Sequence, residues 1–513
     1  MSKKIILCFD GTCNEPEDAD QEQQWWRLGE LEDDGVTNVF KLHLLFGGNL
    51  RDDNPGAFDD QLSFYYPGVG TYGGTLKRAF NAVFAPPNKD VGEIIREALS
   101  DLQTHFRAGD QVFLFGFSRG SAIARRFAAI LPQKFDADTP TPGIRFMGLF
   151  DTVASIGVPN LNERDKPVSD VVFENHTISP AVDEALHLLS LDENRKAFMP
   201  TLMNRDERVT EIWFSGVHSD IGGGNRFDGL SDLTLQFLLD EIQRRDLGVQ
   251  ILSPLNMDYE GLAPSQSGVD IDLDDISIQP SHLGKMHRQL RPPITAKITQ
   301  ADRFVRVNVN DQASDDPPLI HHSVIDRVFD DPEYRPRSLR GKAHRIWVSD
   351  SEEESYTGLR EHLVLGKRVS RALQPGESKE LTVYANQKYN RSGVLLERGG
   401  EYYFQASGNQ TWNDGGIDCG PAGWDRAGVS LGWKEILIRL QEDERRFPKA
   451  KWFEVIGSIG RSDASLIRVL DYQDASHTYK ALQSGEFFTF ANDLDRFYYN
   501  NMGFIRLTIS RAS

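Results

Sequence analysis

The chain has 513 residues, of which 57 are lysine or arginine and 76 are aspartate or glutamate, so its formal net charge is −19. A chain of this length has room for two or three domains. A surface with this excess of negative charge repels a phosphate backbone at long range, and we therefore exclude nucleic acid as a partner.

The cysteines and the first residues of the chain limit where the protein is expected to act. Cys8, Cys13 and Cys419 are odd in number and lack metal-ligand spacing, which predicts free thiols rather than a disulfide framework or a zinc site. The apolar run over 5–9 ends at Asp10, too early for the core of a signal peptide, and no window approaches the roughly 18 apolar residues that span a bilayer. We expect a soluble protein that is made in the cytoplasm and is secreted, if at all, without a cleaved leader.

Residues 1–350 alternate short apolar runs with amphipathic stretches, a pattern typical of a mostly parallel α/β sheet. Strands are predicted over 4–9, 111–115, 143–150 and 211–217, and core-packing helices over 91–106 and 230–244. A polar loop follows each predicted strand. Because the carboxyl ends of parallel strands meet at one edge of a sheet, we expect the functional site at that edge.

The motif Gly116-Phe117-Ser118-Arg119-Gly120 stands between a predicted strand and a predicted helix. A strand that turns sharply into a helix leaves no room for side chains beside the turn, so glycines on both sides place a serine at its apex. The pattern predicts a nucleophile elbow with Ser118 as the catalytic nucleophile. The alternative is an ordinary glycine-rich turn.

A serine nucleophile needs a base to take its proton and an acid to orient that base. In α/β-hydrolases the acid and then the histidine follow the serine along the chain. Asp220 is the preferred acid, with Asp151 as the alternative, and His321 is the preferred base. His218, paired with Asp151, remains open as a rival base.

The loop after the first strand, Asp10-Gly11-Thr12, offers backbone N–H groups for an oxyanion hole. We predict that Gly11 and Thr12 act there together with Arg119, which follows the serine. Asp-Gly-Thr also closes the nucleophile motif of haloacid-dehalogenase-like phosphatases. That motif requires an aspartate where this chain has Cys8, so we reject the interpretation of the chain as such a phosphatase.

Six motifs in chain order resemble those of the DUF2235 α/β-hydrolase family, which includes lipase effectors of bacterial type VI secretion. They are FDGTCN at 9–14, YPGVGT at 66–71, GFSRG at 116–120, LFDTV at 149–153, WFSGVHSDIGGG at 213–224 and HHSV at 321–324. The resemblance implies an antibacterial phospholipase A-type hydrolase of membrane glycerophospholipids that needs no cofactor for catalysis. It places Ser118, Asp220 and His321 at triad-like positions. Phospholipid at a membrane surface and a secretion-apparatus or immunity protein are the implied partners.

The composition changes after about residue 350. A charged stretch over 351–378 is predicted as a linker between a catalytic domain over 1–350 and a domain over 379–513. Short alternating runs separated by Gly, Asn and Asp turns predict an all-β sandwich in this last part. These runs lie over 380–385, 401–406, 435–440, 451–456, 486–490 and 503–509.

This carboxyl-terminal part resembles the small calcium-dependent galactose-binding lectin of the PA-IL type. The motifs are VYAN at 383–386, GGEYYF at 399–404, ND at 492–493 and NNMG at 500–503. The resemblance implies that Asp493, Asn500 and Asn501 bind Ca²⁺, which in turn binds a galactose-type glycan; oxygen ligands of this kind suit calcium. An Asn-rich loop that only turns the chain is the alternative.

The sequence as a whole predicts a serine lipase that a sugar-binding module holds at a glycosylated surface. Two other functions stay open. One is an esterase that deacylates carbohydrate, and the other is a sugar-binding protein whose hydrolase fold is inactive.

Overall fold

The computed structural model divides the chain into two compact units. One unit comprises residues 1–277 and 285–365, and the other comprises 278–284 and 366–513. The structure describes residues 2–11, 35–51, 56–68, 87–135, 142–154, 178–264, 269, 271–288, 299–331, 333–347, 353–359, 371–406, 410–414, 417–426, 441–461, 463–495, 498 and 501–512.

The first unit is built on a nine-stranded sheet with the order β11-β10-β9-β6-β5-β4-β3-β1-β2. Its strands are β1 (Lys4–Phe9), β2 (Gln61–Tyr66), β3 (Gln111–Phe117), β4 (Ile144–Phe150), β5 (Ala185–Ser190), β6 (Val209–Phe214), β9 (Leu319–His321), β10 (His344–Trp347) and β11 (Glu353–Tyr356). All neighbouring pairs are parallel except β10 and β11. A separate hairpin joins β7 (Val307–Val309) to β8 (Gln312–Ser314).

The main helices of this unit are α1 (Asn38–Leu45), α2 (Pro87–His105), α3 (Arg119–Ile130), α4 (Ser219–Gly222), α5 (Gly229–Arg244), α6 (Leu273–Ile276) and α7 (His322–Asp330). Alternate strand residues such as Leu7 and Leu114 form one core with apolar side chains of α2 and α3. On the other face Phe46, which follows α1, packs 5.1 Å from Phe115. A Cβ on Gly148 would lie 3.0 Å from Leu238 of α5. Helices therefore cover both faces of the sheet, as expected for a mostly parallel α/β arrangement.

The second unit contains two six-stranded sheets. Its strands are β12 (Arg371–Ala372), β13 (Ser378–Tyr384), β14 (Asn390–Leu396), β15 (Glu401–Ala406), β16 (Trp412–Asp414), β17 (Ile417–Cys419), β18 (Ala422–Trp424), β19 (Trp452–Ile459), β20 (Leu466–Arg468), β21 (Tyr479–Lys480), β22 (Gly485–Ala491) and β23 (Asn501–Arg511). Aromatic pairs join the two sheets: Phe404 stacks on Phe487 at 4.9 Å, and Trp412 meets Phe453 edge to face at 5.5 Å. The core lies between the sheets, as in a β-sandwich.

The predicted fold class, a mostly parallel α/β sheet followed by an all-β domain, is confirmed. The stretch expected to be a linker differs in detail, because β11 within it pairs with β10 of the large sheet. The predicted domain limits at 350 and 379 stay a prediction, and the predicted strand over 435–440 lies outside the described residues. Among the described helices, none combines the length and the apolar character required to cross a bilayer.

Candidate active site

Ser118 lies at a strained turn between β3 and α3, with φ 56° and ψ −120°. A non-glycine residue in such a conformation costs about 1–3 kcal/mol and persists only where its surroundings impose it. The Ser118 N–H donates to Phe150 O at 3.0 Å, and Val153 N–H donates to Ser118 O at 3.2 Å. The end of β4 therefore holds the serine in place from the neighbouring strand.

The two glycines of the motif are required by close backbone contacts. A Cβ on Gly120 would lie 2.1 Å from Phe9 O, and a Cβ on Gly116 would lie 2.7 Å from Ser121 Cα. Real Cβ atoms do not approach backbone this closely, so a side chain at either position would open the turn. The structure thus has the local geometry of a nucleophile elbow.

Asp151 follows β4 directly, is fully buried and has a left-handed φ of 40°. Its Oδ2 accepts a hydrogen bond from His218 Nδ1 at 2.6 Å. Arg303 donates Nη1 to Oδ1 at 2.6 Å and Nη2 to Oδ2 at 2.8 Å, and Ser190 N–H donates to Oδ1 at 3.1 Å. Every oxygen of this buried carboxylate is therefore hydrogen-bonded.

The same contacts set the protonation states of the pair. Burial raises the pKa of Asp151, but the Arg303 guanidinium and the His218 ring outweigh it and hold that pKa well below its ordinary value. Burial lowers the pKa of His218, and the hydrogen bond to Asp151 opposes this only in part. A neutral His218 that donates Nδ1–H to Asp151 keeps its Nε2 as a proton acceptor.

His218 lies beside the serine elbow. Its ring packs 4.7 Å from the ring of Phe117, the residue before Ser118, and 4.9 Å from the ring of Phe198. The His218 N–H donates to Glu193 Oε2 at 3.3 Å. These contacts fix the position and tilt of the imidazole.

Asp220 and His321 do not pair with each other, in contrast to the first expectation from the sequence. Asp220 Oδ1 lies 2.6 Å from His287 Nδ1, and Asp220 Oδ2 accepts from Val217 N–H at 2.8 Å. His321 Nδ1 lies 2.8 Å from the Ser323 hydroxyl. The two predicted triad members thus have other partners.

The position of His321 in the sheet explains why it does not meet Ser118. His321 is the last residue of β9, which is four strands from β3 in the sheet order. Neighbouring strands lie about 4.8 Å apart, so the two strands are separated by about 19 Å, more than a histidine and a serine side chain span together. The His321 ring is instead stacked on Phe214 at 4.5 Å, and burial lowers its pKa well below the ordinary value.

The three residues predicted to form the oxyanion hole differ in what the structure shows for them. Gly11 N–H donates to Asp10 Oδ1 at 2.6 Å, and the Asp10 Oδ2 accepts from Thr37 and Tyr65 hydroxyls, each at 2.6 Å. Thr12 lies outside the described residues. Arg119 is the first residue of α3, so its N–H stands at the positive end of the helix dipole next to Ser118.

The residues predicted to bind calcium are placed in part. Asp493 Oδ1 accepts from Leu494 N–H at 2.6 Å, and its Oδ2 accepts from Asn501 Nδ2 at 2.9 Å. The Asn501 Oδ1 is buried without a hydrogen-bond partner among the described residues, and Asn500 lies outside them. No group of three or more His, Cys, Asp or Glu side chains suited to a metal ion occurs in the described part of the chain.

Asp414 is a second carboxylate beside Asp493. It lies opposite Asn501 in the pairing of β16 with β23, and its Oδ2 accepts from Trp424 Nε1 at 2.9 Å. Burial and then the nearby charge of Asp493 raise the pKa of Asp414 to about 7. Asp414 was not predicted from the sequence as a calcium ligand.

Arg303 and His287 were also missed from the sequence. Each stands alone in a loop-rich region with no motif around it, and each reaches its carboxylate across a long sequence separation, 152 residues for Arg303 and 67 for His287. No signal in a single sequence identifies such a partner, because the contact exists only after the sheet has formed.

Parts of the chain are similar in sequence to known proteins. Residues 3–134 and 132–241 match the family model described as type VI secretion system (T6SS) phospholipase effector Tle1-like, catalytic domain. An uncharacterized protein of Saccharomyces cerevisiae, YEL023C, is 26% identical over 251 residues, which cover 38% of this chain and 32% of that protein. The chain therefore spans about a third of the length of this curated relative.

Two solved structures are similar to parts of the chain. The Tle1 effector bound to the VgrG spike of the type VI secretion system is 23% identical, with a TM-score of 0.28 over 44% of this chain and 51% of the other. A PllA-like lectin, the EclA N-terminal domain, is 16% identical, with a TM-score of 0.18 over 26% of this chain and 94% of the other. TM-scores this low support no conclusion about shared structure.

Proposed function

We propose that this protein is a serine hydrolase that cleaves an acyl ester of membrane glycerophospholipids in a phospholipase A-like reaction, and that it acts as a type VI secretion effector. The match of residues 3–241 to the model of Tle1-like phospholipase effector catalytic domains supports this proposal. The observation that carries the proposal is the buried Asp151–His218 pair packed against the elbow of Ser118.

The proposed triad is Ser118, His218 and Asp151. His218 Nε2 takes the proton of the Ser118 hydroxyl while Oγ attacks the ester carbonyl carbon. Asp151 accepts Nδ1–H, which fixes the tautomer and stabilises the imidazolium. The Arg119 N–H donates to the oxyanion of the tetrahedral intermediate.

The intermediate collapses when the ester C–O bond breaks, and the imidazolium gives its proton to the leaving lysophospholipid oxygen. Water then attacks the acyl-enzyme with His218 again acting as base. The acyl C–O bond to Ser118 breaks, the serine regains a proton, and a fatty acid leaves. The buried Asp151 and the apolar rings of Phe117 and Phe198 keep His218 oriented through both steps.

The test uses the full chain and vesicles of phosphatidylethanolamine and phosphatidylglycerol, with products identified by mass spectrometry. We expect wild type to release fatty acid and lysophospholipid and to react with a fluorophosphonate probe, and Ser118→Ala to do neither. Ser179→Ala is the matched control, because that hydroxyl donates to Ala128 O at 2.8 Å in the same unit, away from the elbow.

A second pair of variants tests the base. His218→Ala is expected to abolish turnover, whereas His321→Ala is expected to lower stability through the loss of its stacking on Phe214 but to keep the ester chemistry. The reverse result would restore His321 as the base. Ser118-dependent release of acetate from acylated polysaccharide, without fatty acid from vesicles, would favour a carbohydrate esterase. A chain that never reacts with the probe would favour an inactive fold.

We also propose a cation site in the second unit, formed by Asp493, Asn501 and Asp414. The observation that favours it is the buried Asn501 Oδ1, which lacks a partner among the described residues and belongs to an amide already bonded to Asp493. Carboxylate and amide oxygens suit Ca²⁺. A galactose-type glycan is the proposed ligand of that ion, by analogy with the lectin resemblance.

This site is tested on the full-length Ser118→Ala protein by thermal unfolding and by a glycan array, each with Ca²⁺ or with EDTA. We expect Ca²⁺ to raise the melting temperature of this protein and not of its Asp493→Asn variant. Glycan binding that is insensitive to EDTA, or the absence of a thermal shift, would contradict the site.

The proposed protein partners are a component of the type VI secretion apparatus and an immunity protein. The first partner rests on the family description, and the second on the resemblance of the motifs to those of type VI secretion lipase effectors. Co-elution of the purified full chain with a purified type VI secretion spike protein in size-exclusion chromatography would support it. Separate elution at micromolar concentrations would count against a stable complex.

A further inference from the structure

Arg303 binds Asp151 through a planar, two-bond contact inside the protein. The side chains of both residues are 0% exposed, and the two N–O distances are 2.6 and 2.8 Å. The same Nη2 also donates to Phe198 O at 2.6 Å. A guanidinium in this geometry restricts both the position and the rotation of a carboxylate, which a lysine does not do.

A second arginine–carboxylate pair also contacts His218. Glu193 accepts Arg195 Nε on Oε1 at 2.8 Å and Arg195 Nη2 on Oε2 at 2.7 Å, and it also accepts the His218 N–H. The Arg195 guanidinium lies 3.6 Å above the ring of Phe198, which packs against His218. The side chains of both pairs are largely or fully buried.

Among the described residues, each carboxylate that faces His218 has a guanidinium partner. The carboxylates of Asp151 and Glu193 face it, and each is paired with a guanidinium, of Arg303 and Arg195 respectively. On its own helix, Asp220 is paired with His287. An imidazolium at this position gains less attraction from its surroundings than it would beside an unpaired carboxylate.

We propose that Arg303 is a positioning residue of this site: it orients the Asp151 carboxylate and cancels its charge, so that His218 remains neutral and able to accept the Ser118 proton under mildly acidic conditions. The inference rests on the proposed function of the Ser118, His218 and Asp151 group. It adds a fourth residue that acts through Asp151 and does not touch the substrate.

Removal of the guanidinium charge is expected to raise the pKa of His218. Without it, the Asp151 carboxylate and His218 form an uncompensated pair that binds a proton more tightly. The base is then protonated over a wider pH range, and the acidic limb of kcat/KM moves to higher pH. An opposite charge within hydrogen-bond distance shifts a pKa by about one unit or more, which sets the expected size of this movement.

The experiment measures the pH profile of kcat/KM for wild type, Arg303→Met, Arg303→Lys and the control Arg208→Met, on the vesicles used above. Arg208 forms a similar two-bond contact with Asp206 at 2.8 and 3.0 Å, away from the elbow. We expect Arg303→Met to shift the acidic limb upward by about one unit or more. Arg303→Lys keeps the charge, so its limb is expected near that of wild type, while the lost orientation lowers kcat about 10- to 100-fold.

A second measurement does not depend on turnover, and it remains decisive if one variant does not fold. The His218 ring is titrated by NMR in Ser118→Ala protein with Arg303 or with Lys or Met in its place. A higher His218 midpoint in the Met protein than in the other two supports the inference. The inference is overturned if Arg303→Met leaves the His218 midpoint unchanged. It is also overturned if Arg303→Lys and Arg303→Met raise that midpoint equally. If Arg303→Met does not fold, the Arg303→Lys variant decides. A rise of about one unit in its His218 midpoint would overturn the inference, and an unchanged midpoint would support it.

The failure of the proposed function is distinguishable from the failure of this inference. If wild type neither hydrolyses phospholipid nor reacts with fluorophosphonate, the function is refuted, and the titration still reports on the charge balance. If wild type is active and its acidic limb does not respond to Arg303, only the inference is refuted.

Discussion

The ring of Phe117 packs against the ring of His218 with centroids 4.7 Å apart, so the residue that precedes the proposed nucleophile touches the proposed base. The contact joins the end of β3 to the turn that begins α4, which follows β6, a strand separated from β3 by β4 and β5 in the sheet order. A Cβ on Gly222 would lie 2.1 Å from the Phe117 ring, which shows how closely α4 is packed onto the elbow.

Replacement of Gly120 by alanine is expected to destabilise the elbow. The added Cβ would meet Phe9 O at 2.1 Å, and rigid backbone on both sides leaves little room to yield. We expect the free energy of unfolding to fall by about 2 kcal/mol or more, as measured by denaturant titration. Gly92→Ala is the control: among the described residues, no atom outside the adjacent backbone of its own helix lies within 4 Å of the added Cβ, and a helix interior gains about 0.5–1 kcal/mol from this change. Equal stability of the two variants would contradict the steric argument.

Asp151→Asn is expected to lower kcat by roughly three to four orders of magnitude, because the amide no longer fixes the tautomer of His218. The structure assigns Asp220 to His287, so Asp220→Asn should retain most of the turnover that wild type shows. Steady-state kinetics on phospholipid vesicles compares the two. If Asp220→Asn were the more damaged enzyme, the acid assignment would have to be exchanged.

Stability is expected to decrease below pH 6.5 because of buried neutral histidines. Burial lowers the pKa of His43 to about 4, with the Asn49 carbonyl acting in the opposite direction. Between about pH 6.5 and 4 the unfolded chain binds a proton at this residue and the folded chain does not, so stability is present above that window and is lost as the pH falls.

The corresponding variant is His43→Gln. Its unfolding free energy should depend less steeply on pH in this window, by up to about 1.4 kcal/mol per pH unit. Urea titrations at several pH values provide the measurement. An unchanged slope would mean that His43 is protonated in the folded protein.

Calcium binding at the proposed site of the second unit is expected to strengthen as the pH rises from 6 to 8. The pKa of Asp414 is raised to about 7, and a carboxylate must lose its proton before it binds a cation. Calorimetric titration should show this pH dependence in wild type and not in Asp414→Asn. Asp418→Asn, which changes an exposed carboxylate on β17, serves as the control and should behave like wild type.

Much of the fold was predictable because its signals are local. The predicted helix over 230–244 is found as Gly229–Arg244, and the predicted strand over 143–150 as Ile144–Phe150. Periodicity reports which face of an element is buried, and that depends only on a few consecutive residues. The elbow at Ser118 was predictable for the same reason, because its glycines avoid steric clashes within one turn and with the adjacent strand.

The serine at a tight strand-to-helix turn could be predicted from the sequence, because the glycines that such a turn requires are its close neighbours in the chain. The acid and the base near that serine are known from the folded structure. Spacing along the chain does not reveal that β9 lies four strands from β3 in the sheet. Asp151 follows β4, the neighbour of β3, and the ring of His218 packs against Phe117 at the end of β3. His321 ends β9, which lies too far from β3. Contact between distant residues depends on this strand order, which the chain acquires only when its strands assemble.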